Sequence, residues 1–199
     1  GDLILSPLDL AGDLTIAVNG GAQPFQTLSS SDFARVVIGN TIHAGTVRIL
    51  GSGITFSDPL EINSGLGSID TTGASLQGED DATIGLTAAN SITTGNLTNP
   101  GRSLTLNATG GPGTIDTTAG RLDTSNPAGN GGTLTVTSQS GSINLGDLDT
   151  HSTPGQAGTI AVTSPVSVAV GSIRADGVIP GTTITLTSDE IDFSAGSRS

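Results

Sequence analysis

The densest group of acidic side chains is Glu79-Asp80-Asp81, which follows a strand-like segment. Carboxylate oxygens are the ligands that calcium prefers in proteins, so an acidic corner of this kind is a candidate calcium site. A solvated run of charges is the interpretation that we favour, so we predict no metal or other cofactor. The Gly-Gly-x-Gly-x-Asp calcium repeat is absent from the sequence. Calcium at these three residues is the one alternative to this expectation.

Asp147, Asp149 and His151 alternate along a second segment that is centred on Leu148. Successive side chains of a strand point to opposite faces. If Leu148 points inward, the other three side chains lie close together on one outer face. We interpret them as an exposed polar face.

Catalysis on polysaccharides requires converging groups that the sequence does not supply in a recognisable pattern. A glycosidase needs two carboxyl groups about 5–10 Å apart, and a lyase acting on acidic sugars needs a cationic base. Lysine is absent, and Arg102, Arg121 and Arg174 fall in separate turns and corners. His43 and His151 have no Ser, Asp or metal partner by spacing, so we expect both at the surface. We predict no catalytic residue and no enzymatic activity.

A further set of polar residues follows the second apolar position of successive repeats. Asp70 and Asp116 occupy this place in two repeats, whereas Thr93, Asn144 and Arg174 occupy it in others. A column of such mixed polar residues is typical of a structural role and not of a catalytic site.

Composition narrows the class of protein. The 199 residues include 18 acidic residues but only six arginines, which gives a net charge of −12. Nucleic-acid binding is therefore not expected. The apolar residues are mainly Ile, Leu and Val, and the remainder is rich in Gly, Thr, Ser, Asn and Asp, a composition of short strands and turns. The absence of cysteine excludes disulfides.

The elements that position these residues are indicated by pairs of apolar residues two apart, repeated at intervals of about 24 residues. We assign these pairs to the first strand of each repeat. The pairs are Leu14/Ile16, Val36/Ile38, Leu60/Ile62, Ile84/Leu86, Leu104/Leu106, Leu134/Val136, Ile160/Val162 and Ile184/Leu186.

Two further apolar positions follow each pair, which predicts three strands per repeat. Ile54 and Phe56 fit none of the three columns. The second column is Ile42, Ile69, Ile92, Ile115, Ile143 and Ile173. The third column is Val47, Leu76, Leu97, Leu122, Leu148 and Val178.

Strands this short bury their apolar faces only by winding into a coil that stacks on its neighbours. We therefore predict an all-β fold, a right-handed parallel β-helix of about 7–8 coils. Residues 1–195 form one segment, less regular over 1–59 and regular over 60–193, and residues 196–199 are interpreted as a tag scar. Phe25, Phe33 and residues 29–32 are expected in a protruding loop.

Threonines flank the inward apolar pairs and form an outward ladder. Examples are Thr133/Thr135/Thr137 and Thr183/Thr185/Thr187. Such a ladder suits a parallel sheet. In some ice-binding solenoids a flat threonine ladder binds ordered water. Here Gly85 and Ala161 interrupt the regular threonine lattice that ice matching requires.

Recurring cassettes carry a family resemblance. The stretches 132–144 (GTLTVTSQSGSIN) and 183–188 (TITLTS) resemble the filamentous-haemagglutinin-like exoproteins of two-partner secretion, and 91–97 (SITTGNL) looks most like their large cyanobacterial members. The resemblance covers roughly 60–193. It implies a passenger that is exported unfolded through a partner pore in the outer membrane. The Asn-Pro-Asn-Leu and Asn-Pro-Asn-Gly-Ile motifs of the family's secretion domain are absent, so we expect a rod segment beyond that domain.

These observations lead to one functional hypothesis and one main alternative. The hypothesis is a non-catalytic scaffold or adhesin segment, secreted or displayed on a bacterial cell surface, with cell-surface or glycan ligands. The alternative is a β-helix that binds or degrades polysaccharides. Unpaired strand edges at the ends of the coil stack also predict head-to-tail self-association.

Overall fold

The computed structural model describes residues 1–17, 33–80 and 82–193, which form nineteen strands. In chain order the strands are β1 (Leu3–Leu5), β2 (Leu14–Ala17), β3 (Val36–Asn40), β4 (Thr46–Phe56), β5 (Leu60–Ser64), β6 (Ser68–Gly78), β7 (Ile84–Ala88), β8 (Ser91–Thr98), β9 (Leu104–Ala108), β10 (Thr114–Asp116), β11 (Arg121–Asp123), β12 (Leu134–Ser138), β13 (Ile143–Asp149), β14 (Ser152–Gln156), β15 (Ile160–Thr163), β16 (Ser167–Arg174), β17 (Gly177–Ile179), β18 (Ile184–Thr187) and β19 (Glu190–Phe193).

The strands stack as a parallel β-solenoid of about seven turns, with about 24 residues per turn and three parallel sheets. The first sheet has the order β1-β3-β5-β7-β9-β12-β15-β18. The second sheet runs β2-β4-β6-β8-β10-β13-β16-β19, with β11 between β8 and β13, and the third sheet pairs β14 with β17. The predicted parallel stack is therefore confirmed.

The first-sheet column agrees with the sequence prediction from Val36 onward. Leu60, Ile84, Leu104 and Leu134 are register partners in successive coils, and all four are fully or almost fully buried. The assignment of Leu14/Ile16 to this column is wrong. These residues pair with Val47 and Ile49 in the second sheet, whereas β1 pairs with β3. Both pairs alternate with period two, and this pattern does not reveal which side of the coil a strand occupies.

The second column is predicted correctly at Ile69, Ile92, Ile115 and Ile143, which are register partners. Its two outer members are wrong. Ile42 is 57% exposed in a turn, and Val47 takes the inward place beside Ile69.

At the other end of this column Val168, and not Ile173, stacks on Ile143. Ile173 instead pairs with Leu148 in the third column. The error arose because β16 carries apolar residues at Val168, Val170 and Ile173, so the landmark could be placed on any of them.

The ends of the third column also differ from the prediction. Leu76, Leu97, Leu122 and Leu148 stack as predicted. Ile54, expected to fit no column, pairs with Leu76 and is fully buried. Val178, predicted inward, lies in the third sheet and is 72% exposed. Register shifts within β4 and β6 separate the second column from the third, so simple counting misses Ile54.

Small and polar residues complete the interior at the corners. At the end of the first-sheet strands, Ser138 Oγ donates to the Gly113 carbonyl at 2.6 Å, and Ser164 Oγ donates to the Gly141 carbonyl at 2.8 Å. Each serine thus ties its own coil to the preceding one. The stack is held together at its corners as well as through its apolar columns.

Some predictions concern parts of the chain outside the described residues. Phe25, residues 29–32 and residues 196–199 belong to this group. Within the described ranges, no helix has the length and apolar character needed to cross a membrane.

Candidate functional site

The richest cluster of ionisable groups forms where β11, β13 and β16 stack. Leu148 of β13 lies between Leu122 and Ile173 in the inward column. One residue further along each strand, Asp149 is the register partner of Asp123 and of Arg174. Parallel stacking therefore brings residues about one coil apart in sequence into one group, which we call the Asp149 cluster.

Asp149 is the centre of this cluster, and its side chain is only 3% exposed. Arg121 Nη2 and Arg174 Nη1 both approach Asp149 Oδ2, the latter at 3.9 Å. Arg121 also lies 3.5 Å from Asp123 Oδ2, and Arg174 Nε donates to Asp176 Oδ1 at 3.0 Å. Because a buried carboxylate is costly without partners, the two arginines compensate for the burial of Asp149.

His151 completes the cluster on the other carboxylate oxygen. Asp149 Oδ1 accepts hydrogen bonds from the His151 backbone N–H at 2.9 Å and from His151 Nδ1 at 2.7 Å. A carboxylate only accepts, so the ring proton lies on Nδ1, which fixes the tautomer and orientation of the imidazole.

Exposed members of the cluster hydrogen-bond locally. Ser172 Oγ donates to Asp147 Oδ1 at 2.6 Å. The Arg174 hydrogen bond holds the pKa of Asp176 below its ordinary value, and the nearby arginine and histidine act in the same direction, whereas desolvation opposes them.

The structure changes the interpretation of these residues. Asp147 is exposed as predicted, but Asp149 is buried and His151 is half-buried, so the three do not form a simple exposed polar face. The expectation that the arginines are scattered is wrong for Arg121 and Arg174, which meet at Asp149. Arg102 lies elsewhere and donates to the Asp80 carbonyl at 3.0 Å.

Two shallow surface pockets flank Arg174. One, of about 260 Å³, is lined by Arg121, Asp147, Leu148, Asp149, Ser172 and Arg174. The other, of about 320 Å³, is lined by His151, Ser152, Thr153, Arg174, Asp176, Gly177 and Val178. Together they form a polar surface beside the third sheet that could contact hydroxyl or carboxylate groups of a ligand.

Sequence reasoning missed this cluster for one reason. Placing Ile173 in the second column put Arg174 beside Asn144, whereas Ala169 holds that position. Had Ile173 been aligned with Leu148, Asp123, Asp149 and Arg174 would have fallen in one column. The spacing between Ile173 and the leucines of the third column is the signal that would have revealed the cluster.

His43 is also not where the sequence suggested. It is fully buried, and Nε2 lies 2.8 Å from the Gly12 carbonyl oxygen. Because a carbonyl only accepts, Nε2 carries the proton. Nδ1 lies 3.3 Å from Ser64 Oγ, whose single hydroxyl proton is donated to the Gly45 carbonyl at 2.7 Å. His43 therefore fills the interior and links neighbouring coils.

The proposed calcium residues lie at the end of β6. Glu79 and Asp80 are exposed, and Asp80 has a positive φ of 54°. Asp81 lies outside the described residues. In the part of the chain that the structure describes, no three His, Cys, Asp or Glu side chains converge as a metal site would require. Calcium at this turn therefore stays an untested alternative to a solvated run of charges.

The mixed polar column of the second sheet contains Asp70, Thr93, Asp116 and Asn144 as register partners. Asp70 Oδ1 accepts hydrogen bonds from the Thr72 backbone N–H at 3.0 Å and Thr72 Oγ1 at 2.7 Å. Partial burial acts to raise the pKa of Asp70, but these bonds and the charge of Arg48 outweigh it and hold the pKa below its ordinary value. Asp116 makes the same two bonds with Thr118.

In comparisons with known proteins, no family model, no curated protein and no solved structure matches the chain.

Proposed function

We propose that the chain is a non-catalytic scaffold or adhesin segment of a large, secreted, haemagglutinin-like surface protein. The observation that carries this proposal is the continuous stack of parallel strands with inward apolar columns, from β1 to β18 and from β2 to β19. Each coil of such a stack adds about 4.8 Å to a rod. A rod built in this way projects whatever is attached to it, and its role is geometric.

The ionisable residues support the same proposal, because they tie coils together. Arg35 bridges Asp2 at 2.8 Å and Glu61 at 3.0 Å. Arg48 bridges Asp13 at 3.3 Å and Asp70 at 3.6 Å. In each case one arginine joins carboxylates from the coils on either side of it. The Asp149 cluster inverts this arrangement, because one buried carboxylate contacts arginines from the coils on either side of it.

Location and export are part of the proposal and rest on the family resemblance. A passenger of this kind crosses the outer membrane unfolded through a partner pore, and a chain without cysteine cannot be trapped by disulfides during that passage. We propose a location on the bacterial cell surface or in the medium. Immunolabelling of intact cells, compared with cells shaved by an external protease, tests this location; signal that appears only after the cells are permeabilised would contradict it.

Enzyme assays separate the scaffold from its catalytic alternative. We expect no release of reducing sugars from a panel of plant and bacterial polysaccharides, with or without added calcium. Turnover of any substrate that disappears in an Asp149→Asn variant would overturn the scaffold proposal.

A second candidate function, polysaccharide binding without turnover, is favoured by the two pockets beside Arg174. We expect a glycan array to reveal this activity as binding that Arg174→Ala weakens at least tenfold. Arg102→Ala is the matched control, since Arg102 lies outside the cluster. Equal loss in both variants would indicate nonspecific attraction and would count against a site at Arg174.

A further inference from the structure

The turn between β11 and β12 contains a chemically reactive pair, Asn130-Gly131. Asparagine is a thermolabile residue, and a following glycine leaves the backbone nitrogen unhindered. The Gly131 nitrogen can attack Asn130 Cγ to form a five-membered succinimide. The Cγ–Nδ2 bond then breaks, and Nδ2 leaves as ammonia with the proton of the Gly131 N–H. Water opens the ring at either of its two C–N bonds, which leaves aspartate or isoaspartate.

Contacts with the next coil explain why this reactive pair is present. A Cβ on Gly131 would lie 2.1 Å from the Thr150 carbonyl oxygen, so a larger residue does not fit at this position. Asn130 Oδ1 accepts a hydrogen bond from the Gln156 backbone N–H at 3.0 Å. Packing between coils therefore accounts for both residues of the pair.

Gln156 holds both of the groups that would react. Its backbone carbonyl accepts a hydrogen bond from the Gly131 N–H at 2.9 Å, and its backbone N–H donates to Asn130 Oδ1 at 3.0 Å. Succinimide formation needs the nitrogen to lose its proton and to face Cγ at close approach with aligned orbitals. In the folded coil the Gly131 N–H points at Gln156, and the Asn130 side chain is held by the same residue. The contact therefore opposes the reaction.

Side chains around the turn keep this contact closed. Asn126 Nδ2 donates to the Asn130 carbonyl at 3.1 Å, and Asn126 Oδ1 accepts from the Ala128 N–H at 2.9 Å. Ser152 Oγ donates to the Gly129 carbonyl at 2.6 Å. These three bonds lie outside the inward apolar columns, so the turn can open locally while the stack of strands stays intact.

We propose that Asn130-Gly131 is a site of spontaneous deamidation that the contact with Gln156 holds unreactive, so that the reaction occurs when the turn opens. Isoaspartate adds an atom to the main chain, which would displace Gly131 from Gln156 and keep the turn open. Deamidation also adds a negative charge to a chain whose net charge is already −12. This inference does not depend on whether the segment is a scaffold or binds polysaccharide.

Peptide mapping by mass spectrometry during incubation in mildly alkaline buffer tests the proposal. We expect Asn130 to deamidate at least tenfold more slowly in the folded protein than in concentrated urea, where the contact with Gln156 is lost. The second Asn-Gly pair of the sequence, Asn19-Gly20, lies outside the described residues and provides the reference rate in urea. A folded-state rate at Asn130 equal to its rate in urea would overturn the proposal.

Variants of the turn test the role of its opening. Asn126→Ala removes two bonds and should accelerate deamidation of Asn130 in the folded protein at least threefold, without changing the rate in urea. Ser152→Ala removes the bond to Gly129 and should act in the same direction. The matched control is Asn90→Ala, because Asn90 Nδ2 also donates to a backbone carbonyl, that of Leu66 at 3.3 Å, but at a different corner of the solenoid.

Hydrogen exchange of the Gly131 amide measures the opening directly. Asn126→Ala should increase this exchange by about the same factor as deamidation, since both reactions require the open turn. Circular dichroism establishes that each variant is folded. Faster deamidation without faster exchange would overturn the proposal, as would unchanged deamidation in both turn variants or an equal acceleration by Asn90→Ala.

Discussion

At the residue scale, the interior is not uniformly apolar. Thr71 and Thr94 are register partners inside the solenoid, and both are fully buried. Among the described residues, neither hydroxyl has a hydrogen-bond partner. In the next coil the hydroxyl of buried Thr117 accepts a hydrogen bond from the Gly146 N–H at 3.2 Å. The same residue type therefore has opposite energetic consequences in adjacent coils.

Replacement of Thr94 by valine should stabilise the protein. Valine keeps the shape and β-branching of threonine but removes a buried hydroxyl whose desolvation is uncompensated, a cost of about 1–3 kcal/mol. We expect Thr94→Val to raise the free energy of unfolding by about 1 kcal/mol, measured by urea denaturation. Thr117→Val is the control and should lower it by about 1 kcal/mol, because Gly146 N–H loses its acceptor. Destabilisation by Thr94→Val would show that its hydroxyl is satisfied.

The Asp149 cluster predicts a second contrast between neighbouring carboxylates. Asp149→Asn removes the charge that compensates Arg121 and Arg174, so we expect a loss of about 1–3 kcal/mol in the free energy of unfolding. Asp147→Asn alters an exposed carboxylate on the same strand and should change stability by less than about 0.5 kcal/mol. Chemical denaturation of both variants measures the difference. Equal effects would mean that the cluster does not stabilise the coil stack.

Asp70 predicts a specific dependence of stability on pH. Its pKa is lower in the folded protein than its ordinary value of 3.8. The carboxylate therefore contributes stability that is fully present above this value and is lost as the pH falls through the lower, folded-state pKa. Asn at this position keeps an oxygen that accepts from the Thr72 N–H but carries no charge. We expect the urea midpoint of Asp70→Asn to fall less between about pH 4 and pH 2 than that of the parent protein; parallel curves would contradict the assignment.

At the element scale, the sequence predicted where strands occur better than which side of the coil each strand occupies. Ile69, Ile92, Ile115 and Ile143 were placed correctly because each follows a turn and begins a clear strand. Val47 and Ile173 were exchanged between columns, because β4 and β16 each contribute to two columns within one strand. Period-two alternation shows which face of a strand points inward, but it does not show where the strand bends around a corner of the coil. The candidate cluster was missed for the same reason, since its members meet only when Ile173 stacks on Leu148.

Substitution of glycines tests how closely the neighbouring coils pack. A Cβ on Gly158 would lie 1.9 Å from the Gly132 carbonyl oxygen of the preceding coil, whereas a Cβ on Gly85 would lie 3.9 Å from its nearest neighbour, the Leu60 carbonyl oxygen. We expect Gly158→Ala to cost about 2–3 kcal/mol in the free energy of unfolding. Gly85→Thr should add about 0.5–1 kcal/mol, because it replaces a flexible residue with a strand former beside Thr105. Thermal unfolding checks both expectations: the unfolding midpoint should fall for Gly158→Ala and rise for Gly85→Thr.

At the scale of the whole molecule, the solenoid separates its apolar and charged residues by side. Apolar columns fill the inside, and the described arginines lie at the surface, where Arg35, Arg48, Arg121 and Arg174 each contact two carboxylates. With a net charge of −12, carboxylates remain in excess. This excess of negative charge along the sides of the solenoid favours solubility.

The most direct test of the account is the direction of neighbouring strands in the first sheet. Leu106 of β9 pairs with Val136 of β12, so outward Thr105 and Asn107 lie beside Thr135 and Thr137 respectively. Partners in parallel strands are about 4.8 Å apart, within the range of a disulfide. In separate double-cysteine variants we predict rapid intramolecular oxidation of the 105/135 and 107/137 pairs and slow oxidation of 105/137 and 107/135. The reverse preference, with 105/137 and 107/135 closing first, would mean antiparallel strands and would contradict the solenoid and the function proposed from it.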